Sequence, residues 1–162
     1  MTSTLPGVQT STSGPAVRPG DLLAPAGAAT PAASAAPGVV TGRPLAWLRA
    51  EGLATAVAGV LAYATTGAPW WLVPALFLVP DLAVFGYLAG DRVGAWAYNL
   101  AHTAPLPVAL LAAGLGWHVP ALVVAGATGL VHIGLDRALG YGVKYDSGFG
   151  HTHLGATGPA AR

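Results

Sequence analysis

The stretch PALVVAGATGLVHIGLDRAL, residues 120–139, decides how this chain is to be read. It opens on a proline, which suits a first helical turn. It then stays apolar for about three turns before His132 and Asp136 appear, four residues apart and therefore on one helix face. At about 1.5 Å per residue, a helix of this length covers the roughly 30 Å hydrocarbon core of a bilayer. An ionisable group inside such a segment is costly and needs a partner or a task. The stretch reads as a transmembrane helix with a polar face near one end.

Three further stretches of the same kind precede it, at about 45–66, 70–89 and 93–115. The turns between them are short, which makes sequence neighbours antiparallel. The Lys and Arg residues are Arg18, Arg43, Arg49, Arg92, Arg137, Lys144 and Arg162, and all of them fall on one side of such a bundle. The turns on the other side, near Thr66–Pro69 and Gly116–Val119, contain none. The positive-inside rule then puts both termini and the Asp91-Arg92 turn in the cytoplasm. Trp47, Trp70-Trp71 and Trp117 stand near the span ends, where aromatic belts form. The expected fold is all-α: an integral membrane bundle of four transmembrane helices over residues 45–139.

Composition agrees. Only 8% of residues are charged, against about 25% in soluble domains, and the mean hydropathy is +0.59. With a formal net charge of +1 and no basic stripe, nucleic acid is excluded as a partner. The lipid bilayer is the expected one. The absence of cysteine removes disulfides, thiol catalysis and Cys-ligated zinc. The weight of Gly, Ala and Pro reads as the bias of a GC-rich bacterial genome, so the expected location is the bacterial cytoplasmic (inner) membrane. Residues 1–44 hold seven of the fourteen prolines and bury too little apolar area to offset the entropy of ordering, so they are expected to be a disordered cytoplasmic tail. Residues 140–162 are too polar and too short to span, and are expected to fold back over the cytoplasmic mouth of the bundle.

The polar residues of the four stretches lie at similar depth. Glu51 is about two turns into the first stretch, and Asp81 about two turns from the inner end of the second. Asn99 and His102 are spaced i,i+3 in the third, and His132 and Asp136 are spaced i,i+4 in the fourth. Each pair shares a face, and such faces turn away from lipid. Pro80 removes a backbone donor and is expected to free the Leu76 carbonyl, while Pro105 and Pro107 should kink or break the third stretch. Neutral imidazole and carboxylate converging in a helix bundle suit a divalent ion such as Zn, Mn or Fe. The candidate metal ligands are Asp81, His102, His132 and Asp136. Glu51 and Asn99 are the candidate catalytic residues, Asn99 to orient substrate or water. Glu51 also reads as a carboxylate neutralised by Arg49. His151 and His153 read as loop residues or as a cover for the site.

Strung together, Glu51-Gly52, Trp70-Trp71, Pro80-Asp81 with Gly86-Tyr87-Leu88-Ala89-Gly90, Tyr98-Asn99 with His102-Thr103, His132-Ile133-Gly134 with Asp136-Arg137, and Gly140-Tyr141-Gly142 with Lys144-Tyr145 and Thr152-His153-Leu154-Gly155 form a series. It resembles the domain of unknown function 4260 family of small four-span bacterial membrane proteins, over about Leu45 to Gly155. The resemblance implies an integral membrane protein and supplies no mechanism. More loosely, Pro-Asp followed by intramembrane His and Asp is similar to bacterial membrane-bound metal-dependent hydrolases, with a different histidine pattern.

The functional expectation is a metal-dependent hydrolase acting on a lipid-like or other amphiphilic substrate from a pocket on the cytoplasmic side. The alternatives are a proton- or ion-coupled small-molecule transporter, which would need a homodimer to enclose a path, and a structural membrane protein whose polar layer specifies helix pairing.

Overall fold

The computed structural model describes residues 38–157. Residues 1–37 of the expected tail and residues 158–162 lie outside the described residues. The chain forms α1 (Gly42–Ala64), α2 (Leu72–Phe77), a 3-10 helix (Pro80–Ala89), α3 (Asp91–Ala101), α4 (Pro105–Gly116), α5 (Pro120–Leu139) and a small hairpin of β1 (His151–Thr152) and β2 (Gly155–Ala156). Three stretches are helical, long enough and apolar enough to cross a membrane: Gly42–Ala64, Leu72–Ala89 and Pro120–Leu139. α1 begins at Gly42, a turn earlier than the Leu45 expected.

The expected third span, 93–115, is two shorter helices, α3 and α4, separated at His102–Ala104. Pro105 and Pro107 lack the N–H groups that would bond back to Ala101 and Thr103, so the ladder cannot run through. At about 1.5 Å per residue neither half reaches across the roughly 30 Å of hydrocarbon alone.

Pro80 acts differently from expectation. The Leu76 carbonyl is not freed, because it accepts the Val79 N–H at 3.0 Å. The backbone tightens to a 3-10 path and stays on it from Pro80 to Ala89, whereas such runs rarely exceed about four residues. The longer 3-10 rise of about 2 Å per residue lets this stretch cover more depth than an α-helix of equal length.

Packing follows the small residues. α1 buries Gly52, Ala56, Gly59 and Tyr63, a stripe at helical spacing that lies along α5. A Cβ on Gly52 would stand 2.7 Å from Ala138 N, and one on Gly59 2.7 Å from Ala127 O. The two backbones therefore touch, as helices in lipid do when small residues face each other. α4 also packs on α5, and α3 packs on the 3-10 helix. Of the Gly86–Gly90 pair only Gly86 serves helix contact, since a Cβ there would meet Ala97 Cβ at 2.9 Å. Gly90 makes the turn into α3 with φ 113, a conformation that L side chains avoid.

Large apolar side chains are exposed, and several polar ones are buried beside an apolar core. All five tryptophans are exposed, and Leu88 is 87% exposed. His102, Thr128, His132, Lys144 and Thr152 are buried. A water-soluble protein rarely buries Lys, and it does not cover so much of its surface with large apolar side chains. Tyr63 sits inside as well. Its hydroxyl donates to Pro69 O at 2.7 Å, while its ring joins Val124 and Ala127 in the core.

After Leu139, Gly140 caps α5 in the left-handed conformation. The segment that follows is tied to the start of α1 by Val40 N–H donating to His153 O at 2.8 Å. It is tied to α3 through Asn99 and Lys144.

Candidate metal centre

Four side chains meet where α3, α5 and the 3-10 helix come together. α5 supplies His132 and Asp136, from one face of its C-terminal half. His102 caps the C-terminus of α3, where the proline-induced break begins. Asp81 stands in the first turn of the 3-10 helix, just after Pro80. His102 Nε2 is 3.2 Å from Asp81 Oδ1 and 3.9 Å from Asp136 Oδ2. His132 Nε2 is 3.7 Å from each of the same two oxygens. The two histidines are buried, while the Asp81 side chain is 47% exposed and that of Asp136 21%. All four residues expected as metal ligands are thus brought together.

The hydrogen bonds set the ring states. His102 Nδ1 lies 2.9 Å from Tyr98 O. A carbonyl only accepts, so Nδ1 carries the proton and Nε2 is left to face the carboxylates. Tyr98 stacks on the same ring, with centroids 3.6 Å apart and planes 10° apart, and fixes its orientation. His132 is held between Phe77, at 4.8 Å, and His102, at 5.0 Å. Among the described residues, neither nitrogen of His132 has a hydrogen-bond partner, although the residue is only 1% exposed.

This set fits a divalent ion. Ligands at about 2.0–2.2 Å from one ion stand no more than about 4 Å apart. The four N···O separations above satisfy this, and the ligand atoms of Asp81, His102 and His132 lie within 4.8 Å of one another, so the widest pair must close by less than about 1 Å to share an ion. The chemistry of the donors, two imidazoles and carboxylate, is that of Zn, Mn or Fe(II) sites. The Nδ1–H to carbonyl bond of His102 is the outer support that metal-bound histidines usually have.

The two candidate catalytic residues are placed elsewhere. α1 turns about 100° per residue, so burying Gly52 against α5 carries Glu51 to the edge of that contact, where it is exposed. Glu51 lines a separate cavity of about 280 Å³ with Thr55, Arg137 and His153. Asn99 is engaged at both amide atoms. Its Nδ2 donates to Lys144 O at 2.9 Å, and its Oδ1 accepts Lys144 N–H at 2.7 Å. It clamps the C-terminal segment to α3 rather than facing the cluster. His153 lines the Glu51 cavity, where Nδ1 accepts Val143 N–H at 3.0 Å. Burial, then the nearby Arg137, hold its pKa below the usual histidine value. His151 is exposed beside Ser147.

The Asn99 clamp carries a direct expectation. Asn99→Ala removes two hydrogen bonds, each worth about 1 kcal/mol net, and leaves Lys144 backbone groups without partners. Limited proteolysis should then cut within residues 141–157 at least several-fold faster. The helices should stay protected.

Two residues that matter here, Arg137 and Lys144, stood in the motif series but were not among the candidate site residues. Arg137 links the cluster to the Glu51 cavity, its Nη2 donating to His102 O at 3.1 Å. Lys144 is 4% exposed, with Nζ 3.9 Å from the Phe149 ring centre and 4.9 Å from that of Tyr98. Burial holds the Lys144 ammonium below the ordinary lysine value, with Asp136 pulling the other way. Tyr98-Asn99 and Lys144-Tyr145 both stood in the motif series, but nothing in the sequence joined one to the other.

A helical fold with an apolar exterior, long apolar helices and a buried Asp/His group defines the class: an α-helical protein of membrane type with a polar centre able to hold a metal ion. A family model described as a domain of unknown function (DUF4260) matches residues 45–157. The chain belongs to that family. No curated protein and no solved structure matches it.

Proposed function

We propose that this chain is a four-pass protein of the bacterial inner membrane, with both termini cytoplasmic, and that it is a metal-dependent hydrolase of amphiphilic substrates. In this reading α3 and α4 together make the third crossing, broken at the site. One observation carries the catalytic part: Asp81, His102, His132 and Asp136 converge while His132, 1% exposed, has two nitrogens without a hydrogen-bond partner. Leaving such groups unsatisfied costs about 1–3 kcal/mol each, and ligation at Nε2 removes one of those costs.

Asp81, His102 and His132 would hold the ion, with Asp136 beside them as a fourth ligand. A divalent ion in such a set supplies an activated water near neutral pH. The Tyr98 carbonyl and ring keep His102 Nε2 directed at the cluster. Asp81, the most exposed of the four, takes the proton of the water whose oxygen bonds to the acyl carbon, and returns it to the leaving oxygen as the ester C–O bond breaks. Arg137, fixed through the His102 carbonyl, stands beside the centre as a positive charge for an anionic leaving group.

The test is direct. Detergent-purified, untagged protein is loaded with Zn, Mn or Fe(II), desalted and assayed by elemental analysis and for release of acid from esters of single-chain alcohols. About one equivalent of ion, and hydrolysis abolished by a chelator and restored by the ion, are expected. No retained ion from any of the three would sink the reading.

A further inference from the structure

Next to the metal centre, at the α3–α4 break, lies a groove of about 250 Å³. Its walls include Val79, Pro80, Ala101, Pro107, Leu110 and Thr128. It adjoins the cluster at three points, since Pro80 precedes Asp81, Ala101 precedes His102, and Thr128 lies one helical turn before His132. Thr128 is the only residue in the lining with a polar side chain. It is 2% exposed, and its hydroxyl has no hydrogen-bond partner. A helical threonine commonly bonds back to the carbonyl four residues earlier, and this one does not. A buried donor without an acceptor is costly, and Thr128 lines the groove, so a turn of its side chain to another rotamer gives an occupant one hydrogen bond in otherwise apolar surroundings. At the rim stand Val79, 52% exposed, and Leu106, 41% exposed, on the apolar outer surface. The groove therefore opens sideways.

We propose that this groove seats the hydrocarbon chain of a single-chain ester, which enters laterally from the bilayer, and that the Thr128 hydroxyl donates to the carbonyl oxygen of the ester. The proposal rests on the hydrolase reading for the reaction, and it names the substrate class. Polar solutes are excluded, because nothing in the lining except Thr128 replaces their hydration. A plain alkane gains nothing from Thr128. An acyl ester uses both features, the apolar wall for its chain and the one donor for its carbonyl, and it holds the ester beside Asp81 and His132.

The experiment uses the full chain in lipid nanodiscs and a lysophosphatidylcholine carrying a diazirine in its acyl chain. Photolabelling should saturate, and unlabelled lysophosphatidylcholine should displace it. The label should map to Leu106–Leu110 and Ala125–Gly129. Ala125→Phe fills the groove and should lower labelling at least tenfold. Leu106→Trp at the rim provides a second obstruction if the first variant does not fold. Thr128→Val keeps the shape and removes the donor. It should weaken displacement by the ester about tenfold, to the level of the matching ether, the size of one buried hydrogen bond. Labelling spread evenly over the outward Leu82, Phe85 and Leu88, or unchanged in both obstructed variants, would overturn the proposal. The ion content of the parent, read beside its labelling, separates the two readings. Saturable groove labelling in a parent that retains no ion would end the hydrolase reading alone. Diffuse labelling in a parent that retains the ion would end the groove alone.

Discussion

A Gly134→Leu chain should not reach the folded bundle. Gly134 lies at the closest approach of α1 and α5, where a Cβ would stand 2.7 Å from the Gly52 carbonyl oxygen and 2.8 Å from Ala56 Cα. These are backbone atoms, so no side-chain rotation relieves the clash. α1 must withdraw from α5 along the whole Gly52, Ala56, Gly59, Tyr63 stripe. In lipid there is no hydrophobic drive to restore the contact, and close packing is what holds helices together. Overpacking with no route to relaxation costs about 3 kcal/mol or more, a large part of a typical stability of about 5–15 kcal/mol. Unfolding in mixed micelles of rising SDS fraction, followed by circular dichroism and tryptophan fluorescence, should show no folded baseline. Gly116→Leu is the control. A Cβ at Gly116 meets nothing within 4 Å, and its stability should stay within about 0.5 kcal/mol of the parent. Equal stability of the two variants would mean that α1 and α5 do not pack as described.

How much of this was legible from the sequence depends on what each signal measures. Length and apolarity placed the helices at 45–66, 70–89 and 120–139 to within a turn, because a run of apolar residues is a one-dimensional signal. The prolines at 105 and 107 gave the break between α3 and α4 for the same reason, since a missing N–H is a local fact. Counting residues from the helix ends gave the depth of the polar groups. Depth is only one coordinate of a point on a helix, and the azimuth decides contact. Asp81, His102, His132 and Asp136 have the right azimuth. Glu51 has the right depth, but the Gly52 stripe turns it to the edge of the α1–α5 contact. Asn99 and His102 were read as sharing a face, yet α3 ends at Ala101. His102, at φ −108 and ψ 22, leaves the helical path and reaches the cluster while Asn99 reaches Lys144. The Lys144 cage of Tyr98 and Phe149 had no periodic signal, because it is built by a loop folding back across the sequence.

His132→Leu should stabilise the metal-free protein and abolish its response to metal. The two parts have separate causes. Without an ion, both ring nitrogens of His132 are buried and have no hydrogen-bond partner among the described residues, and the Phe77 ring is 4.8 Å away on one side. Leucine has similar bulk and no polar atoms, so it removes a cost of about 1–3 kcal/mol per unsatisfied group, less what imperfect packing returns. With an ion, the parent gains stability according to RT ln(1 + [M]/Kd), about 4 kcal/mol at a thousandfold excess over Kd. The variant lacks one of the two imidazoles and should gain almost none of it. Unfolding midpoints of both proteins, in EDTA and in saturating zinc, give four numbers. The variant should exceed the parent in EDTA and fall below it in zinc. A polar layer whose task is only to pair helices predicts the opposite sign in EDTA. In that case a charged His132, 3.7 Å from both Asp81 and Asp136, would bind the two carboxylates together, and its loss would leave them facing each other. A variant less stable than the parent in EDTA, with no response to zinc in either protein, would therefore replace the metal centre with a helix-pairing ion cluster.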